Sequence, residues 1–357
     1  MTKLGVLFSV LGVGAGCIPA FAQKQFPNII VMLSDDQGWG DLGFTGNTFV
    51  QTPNIDRIAH EGTILENFYV CPVSSPTRAE FLTGRYHVRS GVNSTTGGGE
   101  RFNLGEKTIA EYFREAGYAT SLFGKWHSGT QYPYHPNARG FEEFYGFCSG
   151  HWGNYWNPVL EHNGEIISGE GFIIDDLTDK ALDYIRDHKE HPFFMFLSYN
   201  TPHSPMQVPD SWWNRVKDRT LSQRATFPEQ EDTTFTKAAL ALAENLDWNI
   251  GRVLSLLHSL DLEQETIVIY FSDNGPNSFR WNGGMKGRKG STDEGGVRSP
   301  FCIRWPGHIR KEAVETQLSG AIDLIPTLLG LAGIEYTPLR KLDGIDWGQR
   351  LLDEKAP

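Results

Sequence analysis

Four polar clusters in this sequence follow directly on apolar runs, and each carries side chains able to do chemistry. Ser34-Asp35-Asp36-Gln37 follows Asn28–Leu33, and Gly124-Lys125-Trp126-His127 follows Ala119–Phe123. Asn200-Thr201-Pro202-His203 follows Phe193–Ser198, and Ser272-Asp273-Asn274-Gly275 follows Thr266–Phe271. Asp35, Asp36, Asp273 and Asn274 offer the oxygen ligands that a hard divalent cation requires. Such a set suits Ca²⁺ or Mg²⁺ better than Zn²⁺. A single Asp pair is commonly a solvated turn; two pairs, each placed after a strongly apolar run, favour a metal. Lys125, His127, His203 and Lys289 add cations and proton carriers. Lys125 and His127 stand two positions apart, so in extended chain both face one side. His188 and His191 read as structural.

A fifth cluster runs from Ser74 to Arg85 as S-S-P-T-R-A-E-F-L-T-G-R. Pro76 reads as the beginning of a helix, Ser75 as its cap and Gly84 as its end. Arg78 then sits where a cation opposes the helix dipole. That placement makes sense when an anion lies over the helix N-terminus. Gly287–Ser291 carries K-G-S rather than G-K-S, without the required leading glycine, so it is no nucleotide loop. The glycines at 97–99 read only as a flexible loop, and no G-x-S-x-G, H-E-x-x-H or dinucleotide fingerprint occurs.

The elements that must position these groups alternate. Apolar runs at Asn28–Leu33, Ala119–Phe123, Phe193–Ser198, Thr266–Phe271 and Phe301–Arg304 read as strands covered on both faces. Helical patterns fall at Ile55–His60, Thr108–Ala116, Thr178–His188, Thr236–Leu260 and Ile322–Ala332. The alternation predicts an α/β fold with a largely parallel sheet and its chemistry at the carboxyl ends of the strands. With 32 basic against 43 acidic residues the formal charge is −11, which argues against nucleic acid or an anionic membrane as partner. Lys3, the apolar run Leu4–Val13 and Ala20-Phe21-Ala22 form a secretory signal peptide over residues 1–22. The chain is therefore expected to be exported, periplasmic or extracellular; Cys17 gives lipid anchoring as the lesser alternative. Cys71, Cys148 and Cys302 remain, enough for one disulfide at most.

The stretch at Ser74 resembles the [C/S]-x-P-x-R-x-x-x-L-x-T-G-R signature of the type I sulfatases, in the alkaline phosphatase superfamily. Ser74, Pro76, Arg78, Leu82, Thr83, Gly84 and Arg85 hold its defining positions, and Thr77 stands where Ser is usual. Cys71 is not followed by Pro and Arg at the required spacing. The likeness continues through Asp35-Asp36, Gly124–His127, Pro202–Pro205, Ser272–Gly275 and Lys289–Arg298. It implies an alkaline phosphatase-like fold, a serine-type formylglycine made from Ser74 by a sulfatase-maturing enzyme, and one Ca²⁺ held by Asp35, Asp36, Asp273, Asn274 and residue 74. It also implies that Arg78, Lys125 and Lys289 clamp sulfate, His203 protonates the leaving oxygen and His127 deprotonates the hydrate.

The family's usual C-terminal subdomain is expected to be largely absent from 23–357. Two other functions compete: a phosphatase or phosphodiesterase of the same superfamily, and an inactive sugar-binding protein should Ser74 stay unmodified. The expected substrate is a sulfated carbohydrate. Tyr145–Trp156 interleaves rings with glycines, and His151, Trp152 and Asn154 are candidate sugar contacts; core packing of the same rings is the competing reading.

Overall fold

The computed structural model describes residues 1–2 and 26–352. Residues 3–22 of the expected leader, its cleavage site and Cys17 lie outside them. All five apolar runs are strands: β1 (Asn28–Ser34), β4 (Ala119–Lys125), β8 (Phe193–Ser198), β9 (Thr266–Ser272) and β10 (Phe301–Arg304). They join β2 (Thr63–Leu65), β5 (Glu143–Phe147), β6 (Val159–His162), β7 (Glu165–Ser168) and β11 (Ala313–Glu315) in one ten-stranded sheet. Its order is β11-β2-β10-β9-β1-β8-β4-β5-β6-β7, while β3 (Phe68–Tyr69) and β12 (Ser319–Gly320) form a separate pair. The centre, β9-β1-β8-β4-β5, is parallel; β10 beside β9 and β6 beside β5 run antiparallel.

The apolar runs are nearly continuous because helices cover both faces of the sheet. Along β1, Ile29, Val31 and Leu33 enter one core with Phe81, Phe113 and Leu328, whereas Ile30 and Met32 enter the other with Ile55, Ile173 and Leu246. Fully burying each such side chain stabilises the fold by roughly 1.5–3 kcal/mol. Among the described residues no helix is long and apolar enough to cross a membrane.

Helix ends differ from the sequence reading where polar residues begin a helix. The helix expected from Thr178 starts at Ile173 and places Asp175 and Asp176 in its first turn, where carboxylates favour the positive helix end. The Ser74–Thr83 helix begins at Ser74 with extended Val73 as its cap residue; Ser75 does not cap it, and its hydroxyl instead reaches the Glu100 carbonyl at 3.4 Å. Gly84 ends that helix in the left-handed conformation, as its position predicts.

Candidate functional site

Because β9, β1, β8 and β4 are neighbours and parallel, their four carboxyl ends meet along one stretch of sheet edge. The polar clusters, separated in sequence, therefore converge. The Asp36 backbone N–H donates to Asp273 Oδ1 at 3.1 Å, and Asn274 Nδ2 donates to Asp36 Oδ1 at 2.8 Å. Asp36 and His127 both adopt positive φ, 64° and 60°. Each costs an L-residue roughly 1–2 kcal/mol, strain of the kind concentrated at functional sites. Arg280 braces the Asp36 turn: it pairs with buried Asp41 at 2.6 Å and donates to the Asp36 carbonyl at 3.0 Å.

The Ser74–Thr83 helix points its N-terminus into this convergence. Ser74 Oγ lies 3.2 Å from both Asp35 Oδ1 and Asn274 Oδ1, and 3.4 Å from Lys125 Nζ. Ser74 is 2% exposed and lines a cavity. Arg78 is wholly buried; it grips Asp273 Oδ2 at 2.9 and 3.2 Å and donates to Ser198 Oγ at 2.6 Å. Lys125 Nζ meets Asp35 at 2.7 Å, Lys289 Nζ meets Asp36 at 2.6 Å, and His203 Nε2 lies 3.5 Å from Asp36 Oδ2.

Asp36 Oδ2 is buried and makes no hydrogen bond, its nearest positive group being the His203 ring 3.5 Å away. A buried carboxylate oxygen without a hydrogen bond is costly, and a bound cation would relieve that cost. Together with the oxygens of Asp35, Asp273 and Asn274 it forms an all-oxygen donor set, and these residues fit a calcium ion.

Electrostatics in the cradle are set by burial against close countercharge. Burial opposes ionisation of Asp35 more than any one neighbour favours it, yet Lys125, His203, Arg78 and Lys289 together hold its carboxyl well below the usual range. Asp273 moves the other way, raised by burial and by Asp35 despite Arg78. Burial lowers the Lys125 ammonium although Asp35 opposes it; Lys289 is raised because Asp36 and Asp35 outweigh its desolvation. Burial, then Lys125, holds the His127 imidazolium well below the ordinary histidine range. His127 Nε2–H donates a hydrogen bond to the Thr95 carbonyl at 2.9 Å, which leaves Nδ1 as a buried nitrogen with a free lone pair.

The cavity over Ser74 has a volume of about 410 Å³ and is also lined by His127, His203, Lys289, His151 and Cys148. His151 stacks parallel to His203, with ring centroids 6.1 Å apart and planes within 5°. The structure does not bring Trp152 and Asn154 onto that wall. Trp152 stacks on buried Phe147 at 5.3 Å, and Asn154 Oδ1 accepts from the Trp156 backbone N–H at 3.2 Å. Core packing thus accounts for most of the rings between Tyr145 and Trp156: Tyr145 and Phe147 on β5 and Tyr155 beyond it are buried, Trp152 packs against them, and Trp156 is exposed. Sequence reasoning missed Thr95, Thr96 and Glu100, which also line the cavity. No strand precedes them, and the neighbouring glycines read as spacer.

A mixed sheet of this order, with a cradle of paired buried charges at its parallel strand ends, places the chain in the alkaline phosphatase superfamily. The family profile described as Sulfatase matches residues 27–334. The pig (Sus scrofa) N-acetylgalactosamine-6-sulfatase is 32% identical over 96% of this chain and 68% of its own length. The mouse (Mus musculus) steryl-sulfatase is 29% identical over 92% of the chain and 65% of its own. The solved structure of Ps i-CgsB in complex with k-i-k-neocarrahexaose superposes with a TM-score of 0.81 at 32% identity, covering 91% of this chain and 76% of that one. The chain belongs to the sulfatase family and is a sulfuric ester hydrolase. Family membership decides between the sulfatase and phosphatase readings in favour of the former.

Proposed function

We propose that this sulfatase removes sulfate from a sulfated carbohydrate outside the cytoplasm, using formylglycine made from Ser74 and a single bound calcium ion. The observation that carries the reading is the position of Ser74 Oγ, 3.2 Å from Asp35 and Asn274 in a cavity that Lys289, His127 and His203 also line. When bound, a calcium ion on Asp35, Asp36, Asp273, Asn274 and residue 74 supplies Lewis-acid charge, and formylglycine supplies an aldehyde-hydrate hydroxyl as nucleophile. Lys125 and Lys289 hold the sulfate oxygens and offset charge developing in the transition state. Arg78, fixed on Asp273, keeps positive charge under the same oxygens. His203 Nδ1 donates to the Ser204 carbonyl at 2.7 Å, so Nε2 is the atom that carries a proton to the leaving alcohol oxygen. His127 Nδ1, with its free lone pair, takes the proton that must leave residue 74 in the second half of the cycle.

Support for a carbohydrate comes from the cavity walls, where Thr95, Thr96, Glu100, Ser149 and His151 offer hydrogen bonds to hydroxyls. Two similar proteins point the same way: one is named for N-acetylgalactosamine 6-sulfate, and the other was solved with a neocarrahexaose. Export rests on the leader, and formylglycine on a serine-type maturing enzyme as partner. Two measurements test the reading. Mass spectrometry of the peptide containing residue 74, from protein made with its maturing partner, is expected to run about 2 Da below the serine mass. A panel of galactose, N-acetylgalactosamine and N-acetylglucosamine sulfates is expected to release sulfate where a steroid sulfate does not. Turnover confined to the steroid overturns the carbohydrate assignment.

A further inference from the structure

Behind the Ser74–Thr83 helix lies a second group of metal-ligand types that the sulfate cradle does not use. We propose that Cys71, Glu80 and His87 bind one zinc-class ion. One donor atom from each, a thiol sulfur, a carboxylate oxygen and a ring nitrogen, lies within 4.8 Å of the other two. Thiolate, imidazole and carboxylate are the ligand set of Zn²⁺, in contrast with the oxygens around Asp36. Water completes a tetrahedron on three protein ligands.

Each donor is held in place by the protein itself. Thr77 Oγ1 accepts from the Cys71 backbone N–H at 2.9 Å and reaches its carbonyl at 3.3 Å, fixing Cys71 to the first turn of the helix. Glu80 lies near the end of that helix, and its Oε1 accepts from the His87 backbone N–H at 3.2 Å. His87 Nδ1 lies 3.0 Å from the Val92 carbonyl, which can only accept; the proton is therefore on Nδ1 and the lone pair on Nε2. A histidine that gives its second ring N–H to a backbone carbonyl has the usual arrangement of a metal ligand. The local charge favours a cation as well. Among the described residues no Lys or Arg pairs with Glu80, whereas the nearby Asp343 carboxylate is already paired with Arg89. On binding, the Cys71 S–H bond breaks, its proton leaves to solvent, and sulfur donates the freed pair to the metal.

Such an ion would tie the segment entering Ser74 to the far end of its helix, stabilising the element that carries both Ser74 and Arg78. This proposal does not depend on sulfate hydrolysis, and its failure leaves the sulfatase reading standing. The test uses the whole chain, saturated with calcium and stripped of other metals. Added Zn²⁺ is expected to be retained at one equivalent through gel filtration. Co²⁺ in its place is expected to give a thiolate-to-cobalt charge-transfer band. Both signals are expected to vanish in Cys71→Ser and in His87→Ala, the second being a partly exposed position whose loss leaves the core intact. Both are expected to persist in Cys148→Ser, which disrupts the other cysteine-containing cluster, His135-Cys148-Glu161. Absence of zinc and of the band in the parent, their persistence in His87→Ala, or their loss in Cys148→Ser overturns the proposal.

Discussion

Two cavities among the described residues can be set side by side, and the larger of the two lacks the chemistry. It has a volume of about 730 Å³, lies along β4 to β7 and the Ile173–Asp187 helix, and includes Glu142, Glu143, Glu170, Asp183 and Asp187. Two of its carboxylates are partnered near solvent, Glu143 with His162 at 2.7 Å and Asp183 with Arg186 at 2.7 Å. Exposed pairs of that kind contribute about 0–1 kcal/mol. The smaller cavity stands over side chains that are almost wholly buried: Asp35, Asp36, Asp273, Arg78 and Lys125. In low dielectric those charges perturb one another strongly, and one carboxylate oxygen is left without a donor. The difference teaches that convergence of buried charge, rather than volume, is what supports the proposed site of action.

Substitutions at the two places sharpen the contrast. Ser74→Ala in the smaller cavity is expected to bring sulfate release to background, a loss on the order of 10⁴-fold or more as for other removed nucleophiles. The fold is expected to survive, which a parallel melting curve checks; retained turnover refutes the role of residue 74. Lys289→Ala is expected to cost roughly 10²–10³-fold in kcat, the range for one lost anion-stabilising donor. A change in KM alone would reassign Lys289 to ground-state binding.

A buried carboxylate away from both cavities gives a third comparison. Asp247 accepts from the Asn54 and Ile55 backbone N–H groups at 2.9 and 2.8 Å, and burial pushes its carboxyl up to about 7. The unfolded chain ionises this group near about 3.9. Between those values the folded state holds a proton that the unfolded state has lost, so stability falls as pH rises through the window. Asp247→Asn is expected to flatten that decline in urea unfolding followed across the window, and an unchanged slope counts against the raised value. The smallest effect belongs to the larger cavity. Asp187→Asn is expected to leave kcat/KM unchanged and stability within about 0.5 kcal/mol; a marked loss of turnover would show that this groove contributes to the reaction.

Much of the fold was legible because both-face burial writes itself as continuous apolar runs, as in Phe193–Ser198 and Thr266–Ser272. The polar residues following those runs were legible for the same reason, since a carboxylate or lysine beside such a strand breaks the pattern sharply. The start of the Ile173–Asp187 helix was not legible, because Asp175 and Asp176 look like loop until a helix N-terminus is placed beneath them. Thr95 and Glu100 left no mark either, for a loop that contributes one backbone carbonyl can do so with almost any side chain.

Sequence alone determined the strand and helix alternation and the residue types available to the reaction, because periodicity and side-chain chemistry are local properties. Tertiary structure decided which of them meet. The parallel order β9-β1-β8-β4 brings Asp273, Asp35, His203 and Lys125 to one edge, although they are scattered through the chain. The same packing turned Trp152 onto Phe147 and left His151 facing the cavity, since both lie in a loop beyond β5 where no strand or helix period sets direction and only the surrounding layers decide which side is core.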